Sequence, residues 1–85
     1  MSVSIEELSF AGKNKVIGLN QTKKAISSGS AKKVFAAQDA DDMFLTQIKR
    51  LCGEHSVPLE EIATMDELGK ACGIDVRCAV CAIVG

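Results

Sequence analysis

Two rhythms alternate along this chain of 85 residues. Apolar positions three or four residues apart take turns with short runs that are apolar throughout. The clearest periodic stretch places Phe44, Leu45, Ile48, Leu51 and Cys52 on one side and Gln47, Lys49 and Arg50 on the other. That spacing predicts an amphipathic helix. Asp39-Ala40-Asp41-Asp42 ahead of it breaks the preceding strand and supplies a helix cap, and Gly53 to Ser56 closes it. Upstream, Lys33-Val34-Phe35-Ala36-Ala37 reads as a largely apolar strand, and Lys15-Val16-Ile17-Gly18-Leu19 as a short strand and turn. Asn20 is placed to cap a helix from about Gln21 to Ser28, with Ala25 and Ile26 inward. Ser27-Ser28-Gly29-Ser30 is a turn.

Both ends of the chain follow the same logic. Ser4-Ile5-Glu6-Glu7 has the form of a capping box, opening a short helix through Leu8 and Ala11 that Gly12 ends. Val57-Pro58-Leu59 opens a strand running to Ile62 or Ala63. Thr64-Met65-Asp66-Glu67 is a second capping box, leading into a helix that ends at Gly73. The last run, Cys78 to Val84, shows no polar alternation, as expected of a strand covered on both faces. The alternating helices and strands predict an α/β fold, a three-layer α/β/α sandwich. A chain this short fits one domain over residues 1–85, with a modest core and no deep enclosed active site.

Composition narrows the function classes. Hydrophobic residues make up 47% of the chain, too many for a disordered tail. There is no run of 18 apolar residues, and the start lacks a basic region followed by an apolar one. We therefore expect no membrane partner, no signal peptide and a cytoplasmic protein. In that compartment Cys52, Cys72, Cys78 and Cys81 are expected as reduced thiols. The net charge of -1 hides a strong asymmetry. Lys13, Lys15, Lys23, Lys24, Lys32 and Lys33 lie between Ala11 and Gln38 with no acid among them. Such a stretch can form the basic face that a phosphate backbone meets, or simply a solvated lysine surface.

Catalytic and metal chemistry find little support. Cys78-x-x-Cys81 has a ligand-like spacing, but residues i and i+3 of a strand point to opposite faces, and no His is near in sequence. Core cysteines are the expectation, with no metal and no cofactor. Asp39, Asp41 and Asp42 suit a turn and cap better than a Mg²⁺ cluster. The single His55 follows a helix, and no Walker-like loop or nucleophile–base pair is present, so neither an enzyme nor a small-molecule substrate is expected.

Two segments remain: Gly18-Leu19-Asn20-Gln21-Thr22-Lys23-Lys24-Ala25 and Leu68-Gly69-Lys70-Ala71-Cys72-Gly73. With them the chain resembles the L7Ae/L30e ribosomal protein family, above all its small bacterial kink-turn-binding members. Members read Gly-Thr-Asn-Glu-x-x-Lys-Ala at the first segment and Leu-Gly-Lys-Ala-x-Gly at the second. They also read Ala-Glu-Asp-x-Asp-Pro where this chain has Ala37-Gln38-Asp39-Ala40-Asp41-Asp42, and Cys52 and Val57-Pro58 fall at family positions. The match runs in order over about residues 14 to 84. It implies a small mixed four-stranded sheet of L30e type and a protein that grips kink-turn RNA, a sharply bent form with tandem sheared G·A pairs.

The resemblance also implies a site. Asn20, Gln21 and Lys24 match the helix start that enters the RNA groove, and Ile74, Asp75, Val76 and Arg77 match the loop that packs on extruded or stacked bases. Gly18 permits a tight turn and close approach of RNA to backbone. Leu19 stands where relatives carry a small hydroxyl residue, and Gln21 where many carry Glu. Gln keeps one acceptor for a guanine edge without repelling phosphate. Lys23 and Lys32 complete the expected RNA-binding set. Three functions are weighed: kink-turn recognition by a monomer, ribosome-associated or regulatory; a protein-interaction or peripheral ribosome-associated module with weak or nonspecific RNA binding; and a small redox or zinc protein.

Overall fold

The computed structural model describes residues 14–85 apart from Asp75. The helix read over Ile5–Ala11 lies outside the described residues. The elements run β1 (Lys15–Ile17), α1 (Leu19–Ser28), β2 (Ala31–Ala37), α2 (Asp42–Glu54), β3 (Leu59–Ile62), α3 (Met65–Cys72) and β4 (Val80–Val84). The strands form one sheet in the order β1-β4-β2-β3. β4 is antiparallel to both neighbours, while β2 and β3 are parallel, so the sheet is mixed.

Alternation along the strands explains the layers. Val34, Ala36, Val80 and Ala82 face one side, where Ile26 of α1 and Leu45, Ile48 and Cys52 of α2 cover them. Phe35, Ala37 and Cys81 face the other, under Leu68, Ala71 and Cys72 of α3. Both inner strands are thus covered on both faces, as their unbroken apolar runs require. The result is the expected α/β/α sandwich of L30e type, with α1 and α2 below the sheet and α3 above it.

Several caps match the sequence reading and one does not. Asp41 caps α2 by accepting from the Met43 N–H at 2.9 Å, and Thr64 caps α3 by accepting from the Glu67 N–H at 3.1 Å. Gly73 ends α3 in the left-handed conformation. Asn20, however, is not the cap of α1. The helix starts one residue earlier, at Leu19, with Gly18 as its N-cap and no side-chain cap hydrogen bond. Leu19 is half-buried and packs on the lower core, which draws the first turn inward. β3 also starts later than read, at Leu59, because Pro58 has no N–H to give the ladder and its carbonyl instead accepts from Val34 N–H at 2.9 Å.

Candidate nucleic-acid interface

One end of the sheet gathers most of the expected site. The ends of β1, β2 and β3 meet the start of β4 there, through Ile17 opposite Cys81, Ala36 opposite Val80 and Ala37 opposite Ile62. Gly18 leaves β1 at this edge with φ 98° and ψ 161°. That conformation is open essentially to glycine alone. The Gly18 N–H donates to the Val80 carbonyl at 3.0 Å, and its own carbonyl accepts from Thr22 N–H at 3.0 Å. This seats the start of α1 on the start of β4.

The first turn of α1 is built to present donors. It has no acidic residue, and among the described residues no side chain caps its leading N–H groups at the positive end of the helix dipole. Asn20, Gln21 and Lys24 are all exposed. Lys24 lies four residues after Asn20 and so shares its side of the helix. Lys23 is half-buried instead and lines a groove with Gln47, Arg50, Leu51 and Glu54 of α2. Lys32 is separated further. It stands at the opposite end of the sheet, where Ala31 pairs with Val84 and the Gly85 N–H donates to the Ser30 carbonyl at 3.2 Å. Five residue steps along β2 separate it from Ala37, a distance of about 17 Å.

The loop after α3 supplies the other half of the platform. Its two β-branched residues are placed differently. Ile74 packs against the upper core, while Val76 is 67% exposed. Asp75 lies outside the described residues. The path of the loop is fixed from below by Gly69, since a Cβ there would collide with the Val76 carbonyl oxygen. A glycine inside a helix was the signal for this close approach.

Arg77 is 60% exposed at its side chain and holds two carboxylates, with Nη2 3.7 Å from Asp39 Oδ2 and Nε 3.4 Å from Asp66 Oδ1. Asp39 also accepts from the Met65 N–H at 2.9 Å. It therefore caps α3 from the far loop, whereas the sequence placed it in the cap ahead of α2. Neither ion pair could be read from sequence, because Asp39 lies 38 positions from Arg77.

The cysteines correct a geometric expectation. Cys78 precedes β4 instead of lying on it, so strand alternation does not separate it from Cys81. The Sγ atoms of Cys72, Cys78 and Cys81 all lie within 4.8 Å of one another. Cys72 and Cys81 are 3.5 Å apart, and the Cys78 thiol donates to the Val80 carbonyl at 3.2 Å. Hydrogen bonding with Cys78 and Cys81 holds Cys72 well below the usual thiol range, against the effect of burial, and hydrogen bonding with Cys72 holds the other two up. Cys52 stands apart in α2, its thiol pushed up by burial.

The layered sheet and its outward helix start define a small L30e-like module. A family model described as the ribosomal protein L7Ae/L30e/S12e/Gadd45 family matches residues 5–85, and the chain belongs to that family. It is 38% identical over 82 residues to an RNA-binding protein of a Geobacillus species, covering 96% of this chain and 99% of the relative. RNA-binding protein YbxF of Geobacillus stearothermophilus is 39% identical with the same coverage. Among solved structures, the Giardia lamblia 15.5kD RNA binding protein superposes with a TM-score of 0.86 at 27% identity, covering 98% of this chain and 74% of that one. The family and its relatives support an RNA-binding, ribosome-associated role for this chain. No helix among the described residues is long and apolar enough to cross a membrane.

Proposed function

We propose that this protein, acting as a single cytoplasmic module over residues 1–85, binds kink-turn RNA at its tandem G·A pairs and holds the RNA bent. The observation that carries this reading is the first turn of α1. It leaves Asn20 and Gln21 exposed beside uncapped N–H groups, at the sheet end that also bears the Val76 loop. Amide side chains there can pair with base edges, and the N–H groups and Lys24 with phosphate. Val76 offers an apolar surface to the flat face of an unstacked base. The protein captures a conformer that free RNA visits less often, which shifts the population without chemistry. Relatives named as RNA-binding proteins support the reading.

A short kink-turn RNA titrated at fixed salt, against the same RNA with its G·A pairs replaced, is the test. Tight binding lost on replacement, and weakened by Asn20→Ala and Gln21→Ala, is expected. Equal and weak binding to both would sink the reading.

A second reading has one observation in its favour. Arg77 is engaged by Asp39 and Asp66, so two carboxylates offset its charge at the platform. On that reading the module is a protein-interaction or peripheral ribosome-associated unit with weak or nonspecific RNA binding. Equal affinity for the two RNAs would favour it.

A further inference from the structure

Three of the four cysteines converge, and the RNA platform does not use their sulfur atoms. Cys72 comes from the last turn of α3, Cys78 from the loop and Cys81 from β4. Their exposures are 4%, 2% and 0%. Phe35, Leu68 and Cys81 belong to the same buried cluster, and Ile17, Ile74 and Ile83 pack against it. Three sulfurs around one ion, each at a metal–sulfur bond of about 2.3 Å, lie about 4 Å from one another. The observed sulfurs, all within 4.8 Å and one pair at 3.5 Å, already stand near that arrangement.

The donor set and its surroundings select the ion. A site of sulfur alone favours soft metals, chiefly Cu(I) and Zn(II). Zinc takes a fourth ligand, from protein or water. Among the described residues no His, Asp or Glu joins this cluster, and the surrounding side chains are apolar, some buried and some half-buried. Three buried sulfurs without a fourth donor among the described residues suit an ion content with three ligands. We propose that Cys72, Cys78 and Cys81 form a three-sulfur site for a soft monovalent ion, cuprous copper. Entry of the ion displaces thiol protons to solvent and changes no oxidation state. The site is independent of the RNA reading, although its ligands bracket the loop that carries Val76.

The test uses the full chain, fully reduced and under anaerobic conditions. Cu(I) is supplied as its acetonitrile complex and titrated in competition with a chromophoric Cu(I) chelator. One ion per chain is expected, with three sulfur neighbours by X-ray absorption. Cys81→Ala should weaken binding about 100-fold or more, since even outer-shell changes cost 10- to 100-fold. Cys52→Ala should leave binding unchanged. Cys78→Ala provides the same comparison should Cys81→Ala fail to fold, and the sulfur count on the unaltered protein stands without either. A two-sulfur shell, binding lost equally in Cys52→Ala, or no competition with the chelator would overturn the proposal. Tighter retention of zinc, with a nitrogen or oxygen neighbour, would overturn the cuprous assignment.

Discussion

The Gly18 N–H donates to the Val80 carbonyl at 3.0 Å, and that one bond joins the start of α1 to the start of β4. The same carbonyl accepts from the Cys78 thiol at 3.2 Å. The helix that presents Asn20 and the strand that follows the Val76 loop thus share an anchor. Gly18→Ala should cost about 1–3 kcal/mol, because φ 98° with ψ 161° is closed to side chains. Chemical denaturation measures the loss. Affinity for kink-turn RNA should fall further than in a surface variant of equal stability.

Gly69→Ala tests the support beneath the loop. The added methyl meets the Val76 carbonyl, a backbone atom with no rotamer to escape into. Overpacking of this kind costs about 1–3 kcal/mol. Ala is the better helix former, so an unchanged or raised melting temperature would show that the loop does not rest on Gly69.

Releasing Arg77 should strengthen RNA binding. Asp66→Asn removes one of its two carboxylate partners at an exposed site, with little effect on stability. Binding measured from low to moderate salt should become more salt-dependent, with the slope of log affinity steeper by about 1 as one more phosphate is neutralised. No change in slope would mean that Arg77 stays with Asp39 when RNA is bound.

Ser56 has φ 56°, the one non-glycine residue in the left-handed region among those described. It lies in the turn after α2, exposed. Ser56→Gly should raise stability by up to about 1 kcal/mol, since the left-handed region costs an L-residue about 1–2 kcal/mol and glycine's extra freedom when unfolded offsets part of the gain. A lowered urea midpoint would contradict this.

Alkaline pH should weaken the lower core. Burial raises the Cys52 thiol above its ordinary value of 9.0. The unfolded chain therefore loses this proton first. The contribution is fully present below pH 9.0 and is lost as pH rises from there through the folded value. The stability of Cys52→Ala, though lower at neutral pH from lost packing, should decline less steeply above pH 9 than that of the unaltered protein. Parallel declines would show that another group governs the limb.

Much of the fold was legible because period and burial coincide. α2 follows its apolar spacing, and β2 and β4 follow their unbroken runs into a doubly covered sheet. The start of α1 was misread because sequence signals a cap by a polar side chain, and here a glycine backbone takes that place. The candidate site was legible only where its residues share an element. Asn20, Gln21 and Lys24 share the outer side of one turn, but Lys32 belongs to a strand whose length carries it to the other end. The cysteine trio escaped because an alternation rule was applied to a residue that precedes its strand.

Gly69 has a consequence beyond stability. The loop above it lies against helix backbone, so its height is set by atoms common to every residue type. The side chain at position 76 points into solvent and contributes little to that seating. A valine, a longer aliphatic or an aromatic residue could stand there on the same support. On the proposed reading, preference among RNA targets drifts at this tip by exchange of one side chain, while the scaffold under it stays as it is.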